Sequence, residues 1–182
     1  MADHNETARE TIERAKGFVV DAIAETMDLY GVTPSAGRLY GTMYFENAMT
    51  LDEMKDELKM SKPSMSTAVR TLQEIDMVHK TWQKGSRKDV YVADKNFFKS
   101  FIHFFCIKWK REVKVNMEAI FTAEKNLKAV IESPEVDKAI KTEAQHYYEL
   151  IVESKKYYYW LEKLVINFEN GDIFRQIPIE DE

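Results

Sequence analysis

The chain has 182 residues, is 45% hydrophobic and carries a formal net charge of −5 at pH 7, which is enough apolar material for a core and too much for a disordered chain. Charges interrupt every apolar run well before the roughly 18 consecutive residues that a membrane span needs, and no signal peptide is recognisable, so a cytoplasmic protein is expected. A lone Cys106 excludes an internal disulfide, and His4, His79, His103 and His146 lie too far apart for metal-ligand spacing. Neither a metal nor another cofactor is expected.

From about Glu6 to Tyr30, the positions Ile12, Ala15, Val19, Ala22, Thr26 and Met27 follow helical spacing, and Gly31 is a natural stop. Thr33 or Ser35, beside Pro34, opens a second helix that runs through Phe45. Gly37 and Gly41 sit one turn apart on it and let another backbone approach closely. The stretch from Gly31 to Gly41 is superficially glycine-rich, yet it lacks the strand, Lys and Ser/Thr order of a phosphate loop. Asn47, Ala48 and Met49 make a short connection.

Thr50-Leu51-Asp52-Glu53 has the form of a capping box, so a helix starts there. Leu51, Met54 and Leu58 form its buried stripe, with Asp52, Glu53, Lys55, Asp56, Glu57 and Lys59 outside. Met60 closes a short turn, Ser61 caps the next helix, and Pro63 stands in the first turn, where a missing N–H costs nothing. Met65, Ala68, Val69, Leu72 and Ile75 face inward. The opposite face offers Lys62, Ser64, Ser66, Thr67, Arg70 and Thr71, small, polar and positive side chains suited to a groove about 12 Å wide.

After Ile75 the period shifts towards two. Val78, Lys80 and Trp82 alternate with His79 and Thr81, and Val90, Tyr91 and Val92 follow a turn at Gly85-Ser86. This reads as a hairpin whose tip collects Lys84, Arg87 and Lys88, as a phosphate clamp requires. Residues 61–92 carry six Lys/Arg against three Asp/Glu, a local charge of +3 that leaves −8 elsewhere. An acidic chain with one basic patch favours a defined contact surface over nonspecific wrapping of nucleic acid.

Beyond the hairpin, Asp94 is placed to cap a helix that runs without Gly or Pro to about Ile131, roughly 55 Å at 1.5 Å per residue. Ser133 and Pro134 begin another, carrying Val136, Ile140, Tyr147, Ile151, Tyr158, Leu161, Leu164, Val165 and Phe168 up to Gly171. Apolar residues on more than one side of such helices predict a two-fold homodimer built with the N-terminal helix. Residues from Asp172 onward read as a loose acidic tail. The expected architecture is mainly α with a small β-hairpin wing, a winged helix-turn-helix with long dimerisation helices. Its segments are 1–49 (dimerisation and pocket wall), 50–93 (DNA binding), 94–171 (pocket and dimerisation) and 172–182 (tail).

Phe97, Phe98, Phe101, Phe104, Phe105 and Trp109 lie within thirteen residues, and 98, 101, 105 and 109 share one helical face. Packing explains such a stripe. It also suits a cage for a quaternary ammonium cation, which donates no hydrogen bond and is held by ring faces. Tyr40 and Tyr44, one turn apart, are candidates for the facing wall. Tyr147, Tyr148, Tyr157, Tyr158, Tyr159 and Trp160 form a second cluster that reads as packing.

The blocks Tyr30 to Gly41, Met49 to Met54, Met60 to Ser66, Trp82 to Asp89, Asn96 to Phe101 and Cys106 to Glu112 together resemble the GbsR-type branch of MarR-like repressors. They span residues from about 30 to 115; the C-terminal third is less distinctive. This resemblance implies a dimeric repressor on an inverted-repeat operator in double-stranded DNA, controlling synthesis of glycine betaine or uptake of choline and related compatible solutes, with choline as effector. The outer face of the helix capped by Ser61 and the basic hairpin tip make Ser61, Lys62, Pro63, Ser64, Ser66, Thr67, Arg70, Lys84, Arg87 and Lys88 the candidate DNA contacts. The resemblance also implies an aromatic cage drawn from Tyr44 and Trp109, with Tyr40, Phe98, Phe101 and Phe105. Two other classes compete: a winged helix used for protein interaction, and a repressor that ignores choline or senses oxidants through Cys106. An enzyme is not expected, because no nucleophile–base pair, metal set or cofactor loop stands out.

Overall fold

Helix α1 (Ala2–Thr26) passes into a single 3-10 turn, Met27–Tyr30, and stops where Gly31 takes a left-handed conformation with φ 70°. The computed structural model describes residues 2–82 and 88–180. They divide into two compact units, Met1–Phe104 and Phe105–Glu182.

In the first unit, α2 (Pro34–Phe45) starts at Thr33, whose Oγ1 accepts the Ala36 N–H at 3.4 Å. The α1–α2 crossing is too close for side chains at two positions. A Cβ on Gly37 would stand 2.8 Å from Met27 Cβ and 3.1 Å from Ala24 Cα, and one on Gly41 would stand 3.1 Å from Val20 Cα. The glycine pair seen in the sequence thus meets α1.

Strand β1 (Met49–Thr50) leads into α3 (Leu51–Leu58), where Thr50 Oγ1 accepts the Glu53 N–H at 3.3 Å and Glu53 Oε2 accepts the Thr50 N–H at 2.7 Å. Lys59, at φ 55°, ends α3. Ser61 Oγ accepts the Ser64 N–H at 3.2 Å and caps α4 (Lys62–Glu74). Strands β2 (Val78–Thr81) and β3 (Val90–Ala93) pair antiparallel with Lys80 opposite Tyr91, and β1 adds to the other edge of β3 with Thr50 opposite Val90. The order is β1-β3-β2. β1 is absent from the sequence reading because two residues show no period. Trp82 lies past the end of β2 and is 77% exposed, and the expected turn at Gly85-Ser86 falls outside the described residues.

The core of this unit joins Leu39, Tyr40 and Met43 of α2 to Met54 of α3, Met65, Val69 and Leu72 of α4, Met77 just before the sheet and Val78 of β2, all essentially inaccessible. Burying a side chain of this size stabilises by about 1.5–3 kcal/mol. Methionine, unbranched and adaptable, fills the irregular space where three helices meet a small sheet.

Helices α5 (Phe97–Glu132) and α6 (Lys138–Glu169) dominate the second unit. Lys110 pairs with Glu169 and Lys155 with Glu124, so early residues of one meet late residues of the other and the helices run antiparallel. Met117, Ala144, Leu161 and Val165 are buried along this hairpin. The buried Cys106 thiol lies 3.9 Å from the Val165 carbonyl, and burial raises its pKa, which disfavours the reactive thiolate.

Three boundaries differ from expectation. Asn96, not Asp94, caps α5: its Oδ1 accepts the Lys99 N–H at 3.0 Å, while Asp94 Oδ1 accepts the Asn96 N–H at 2.9 Å in a preceding turn. Ser133 closes a turn onto the Glu135 N–H, so α6 starts at Lys138 with Asp137 as its flanking residue rather than at Pro134. The supposed tail first forms α7 (Ile173–Gln176), after Gly171 takes φ 72°. Residues 177–180 are exposed.

Candidate nucleic-acid interface

Because Met65, Ala68, Val69 and Leu72 anchor α4 in the core, helical geometry turns Lys62, Pro63, Ser64, Thr67 and Arg70 to solvent, with Ser66 half-buried. Ser61 and Ser64 spend their hydroxyls on each other at 2.8 Å, an arrangement that stiffens the helix start. Arg70 is exposed and makes no ion pair among the described residues. Its five N–H donors therefore stay available to base edges or phosphates.

The basic residues around this helix are arranged less simply than their spacing implies. Lys62 Nζ lies 2.6 Å from Asp52 Oδ1, and Lys88 Nζ lies 2.9 Å from Asp52 Oδ2. One carboxylate from α3 thus ties the first residue of α4 to the hairpin. Lys62 foremost, then Lys88, pulls the Asp52 pKa down to about 2, and Asp52 in turn raises that of Lys88. Lys80 pairs with Asp89 at 2.8 Å. Lys84 and Arg87 lie outside the described residues. The sequence reading treats Asp52 only as part of a solvent face; a partner 36 residues away leaves no periodic trace.

The aromatic candidates separate. In the first unit, Tyr40 is fully buried and its hydroxyl donates to the Asp94 carbonyl at 2.8 Å. Burial, reinforced by the Asp94 charge, pushes its pKa well above the ordinary phenol value and keeps it a donor. Tyr40, expected in a cage wall, thus has no exposed ring face in this structure. Tyr44 is half-buried and stacks on Phe97 at 5.0 Å and 26°. Phe98 and Phe101 are 52% and 43% exposed. In the second unit, the Phe105 ring lies 5.8 Å from that of Trp109 and 4.4 Å from that of Phe168. Phe97 and Phe168 are the rings that the cage reading left out; Phe97 stood in the same aromatic run, while nothing in the linear order tied Phe168 to Phe105.

Residues 97–175 match the GbsR family transcriptional regulator, C-terminal helical hairpin. Over 169 residues the chain is 52% identical to the HTH-type transcriptional repressor GbsR of Bacillus subtilis (strain 168), covering 93% of this chain and 94% of that protein. The chain belongs to the GbsR family. It is also 30% identical over 180 residues to the HTH-type transcriptional repressor OpcR of the same organism, at 94% coverage of each. A solved structure of a transcriptional regulator shares 14% identity with it at a TM-score of 0.46, covering 86% of this chain and 99% of that one. This GbsR-family protein is therefore a DNA-binding transcriptional regulator, not an enzyme. The family's hairpin coincides with α5 to α7; the start of α5 carries two of the blocks that resemble the family, and the C-terminal third carries few. Among the described residues, no helix is long and apolar enough to cross a membrane.

Proposed function

We propose that this GbsR-family regulator represses transcription as a two-fold dimer on an inverted-repeat operator and that choline, or a related quaternary ammonium, is its effector. The observation that carries the DNA reading is the outer face of α4, small, polar and cationic on a helix capped by Ser61, with no ion pair at Arg70 among the described residues. Each subunit lays α4 in a major groove, with Ser61, Lys62, Pro63, Ser64, Ser66, Thr67 and Arg70 facing the DNA, while Lys84, Arg87 and Lys88 hold flanking phosphates. Exposed apolar side chains support a partner copy: Ile12 and Phe18 on α1, and Leu150, Tyr157 and Trp160 on α6. The resemblance in sequence points to genes for glycine betaine synthesis or choline and compatible-solute uptake.

For the effector, the candidate rings are Tyr44, Phe98 and Phe101 in the first unit and Phe105 and Trp109 in the second. Choline binds better to a dimer whose recognition helices no longer match the half-site spacing, and differential affinity shifts the population away from DNA. The test is fluorescence anisotropy on DNA from just upstream of the gene, over several salt concentrations, with and without millimolar choline. Specific, salt-sensitive binding that choline weakens is expected, with Tyr44→Ala and Trp109→Ala blunting the response but not the binding. Indifference to choline removes the effector; absence of salt-sensitive binding to that DNA removes the operator reading.

A further inference from the structure

Among the described residues, Asp52 is the one acidic side chain paired with cations from both α4 and the hairpin. It reaches Lys62, at the start of α4, and Lys88, two residues before β3 in the connection between the hairpin strands, and each carboxylate oxygen takes one ammonium group. A DNA phosphate offers a similar arrangement: two anionic oxygens on one centre, placed where a recognition helix meets a wing. The three side chains are substantially exposed, 54% for Lys62, 66% for Lys88 and 37% for Asp52. Exposed ion pairs of this kind are weak and exchange readily with another anion.

We propose that Asp52 is an internal stand-in for the DNA backbone, a built-in competitor that holds Lys62 and Lys88 in the free protein and lowers its affinity for DNA in general. This rests on the DNA reading of α4 and the wing. With Asp52 in place, the two lysines present a net charge of +1; without it, +2. A polyanion must displace or tolerate the carboxylate, and that penalty applies to any sequence. Contacts from the rest of α4, Arg70 among them, are untouched by Asp52. The stand-in therefore suppresses nonspecific binding, while base contacts supply the compensation at an operator. Because its pKa lies near 2, Asp52 stays charged throughout the range in which DNA binding is measured.

The test compares wild type with Asp52→Asn on operator DNA, on unrelated duplex DNA and on a heparin column. Freeing one net positive charge steepens the log–log salt dependence by about 0.9 and strengthens binding to unrelated DNA by up to roughly tenfold in 0.1 M salt. The gain at the operator is equal or smaller, so the ratio of specific to nonspecific affinity does not rise. Asp52→Asn also removes an acid from the first turn of α3, so the same change is made in a Lys62→Gln/Lys88→Gln background. A fold effect appears in both backgrounds, whereas the competitor effect vanishes without the lysines. Unchanged or weaker binding to unrelated DNA, or a gain that persists without the lysines, overturns the proposal. If wild type shows no operator preference, the operator reading fails by itself. Later elution of Asp52→Asn from heparin then still supports the competitor, and identical elution overturns it.

Discussion

Replacing Gly37 with Ala tests the packing of α1 on α2 in the first unit. In a helix interior, Ala is favoured over Gly by about 0.8–1 kcal/mol, so an open site gains stability from this change. At Gly37 the new methyl would meet Met27 Cβ at 2.8 Å, Met27 Cγ at 3.0 Å and Ala24 Cα at 3.1 Å. Two of these atoms sit on or next to the backbone and cannot swing aside, so the helices must separate. Overpacking of this kind costs roughly 1–3 kcal/mol, and contacts this close call for the upper end. The net change is a loss of about 2 kcal/mol. Gly17 supplies the control, since a Cβ there meets nothing within 4 Å. Gly17→Ala is expected to gain about 1 kcal/mol, placing the two variants about 3 kcal/mol apart. Thermal unfolding followed by far-UV circular dichroism, at matched protein concentration, should show Gly37→Ala lower by roughly 4–8 °C and Gly17→Ala higher by roughly 2–4 °C. If Gly37→Ala melts at or above wild type, the close helix crossing is wrong.

Two further substitutions probe the same unit. Thr50→Ala removes the hydroxyl half of the α3 capping box and should cost about 1 kcal/mol near neutral pH. The Glu53 carboxyl is held below its ordinary 4.5, first by the Thr50 backbone N–H and then by the Thr50 hydroxyl. Its contribution is present above pH 4.5 and is lost as pH falls through the lowered folded value, so the wild-type advantage should shrink on acidification; urea titrations at pH 7 and in that acid range check this. Tyr40→Phe keeps the buried ring but deprives the Asp94 carbonyl of its donor, which should cost about 1–3 kcal/mol. Urea midpoints that coincide with wild type would mean that water or another donor replaces the phenol.

Much of the first unit is legible in the linear sequence because its signals are local. The box of Thr50 with Glu53, the cap at Ser61, and the stripe of Met65, Val69 and Leu72 each depend on residues three or four apart, a distance that helix geometry alone defines. Polar side chains on the far side of that stripe then have to face outward. Helix starts that follow an irregular connection are placed less well. The sequence reading places the cap of α5 at Asp94 and the start of α6 at Ser133-Pro134; the backbone path leaving β3 puts the cap at Asn96, and the turn at 133–136 moves the start of α6 to Lys138, where Asp137 flanks the helix without a side-chain cap.

The tertiary structure decided which groups meet across distance. Gly37 and Gly41 announce a close approach, but only the fold names Ala24, Met27 and Val20 as the neighbours. Tyr40 and Tyr44 look equivalent one turn apart. The fold buries the first on the Asp94 carbonyl and stacks the second on Phe97. Asp52 looks like an ordinary surface acid until the fold brings Lys62 and Lys88 to its two oxygens. Helical period and capping are properties of a few consecutive residues, so the sequence by itself determined the long helices and their faces, but not the two-residue β1 or the four-residue α7. Pairing depends on loop closure and on how whole elements pack, and no short stretch of chain contains that information.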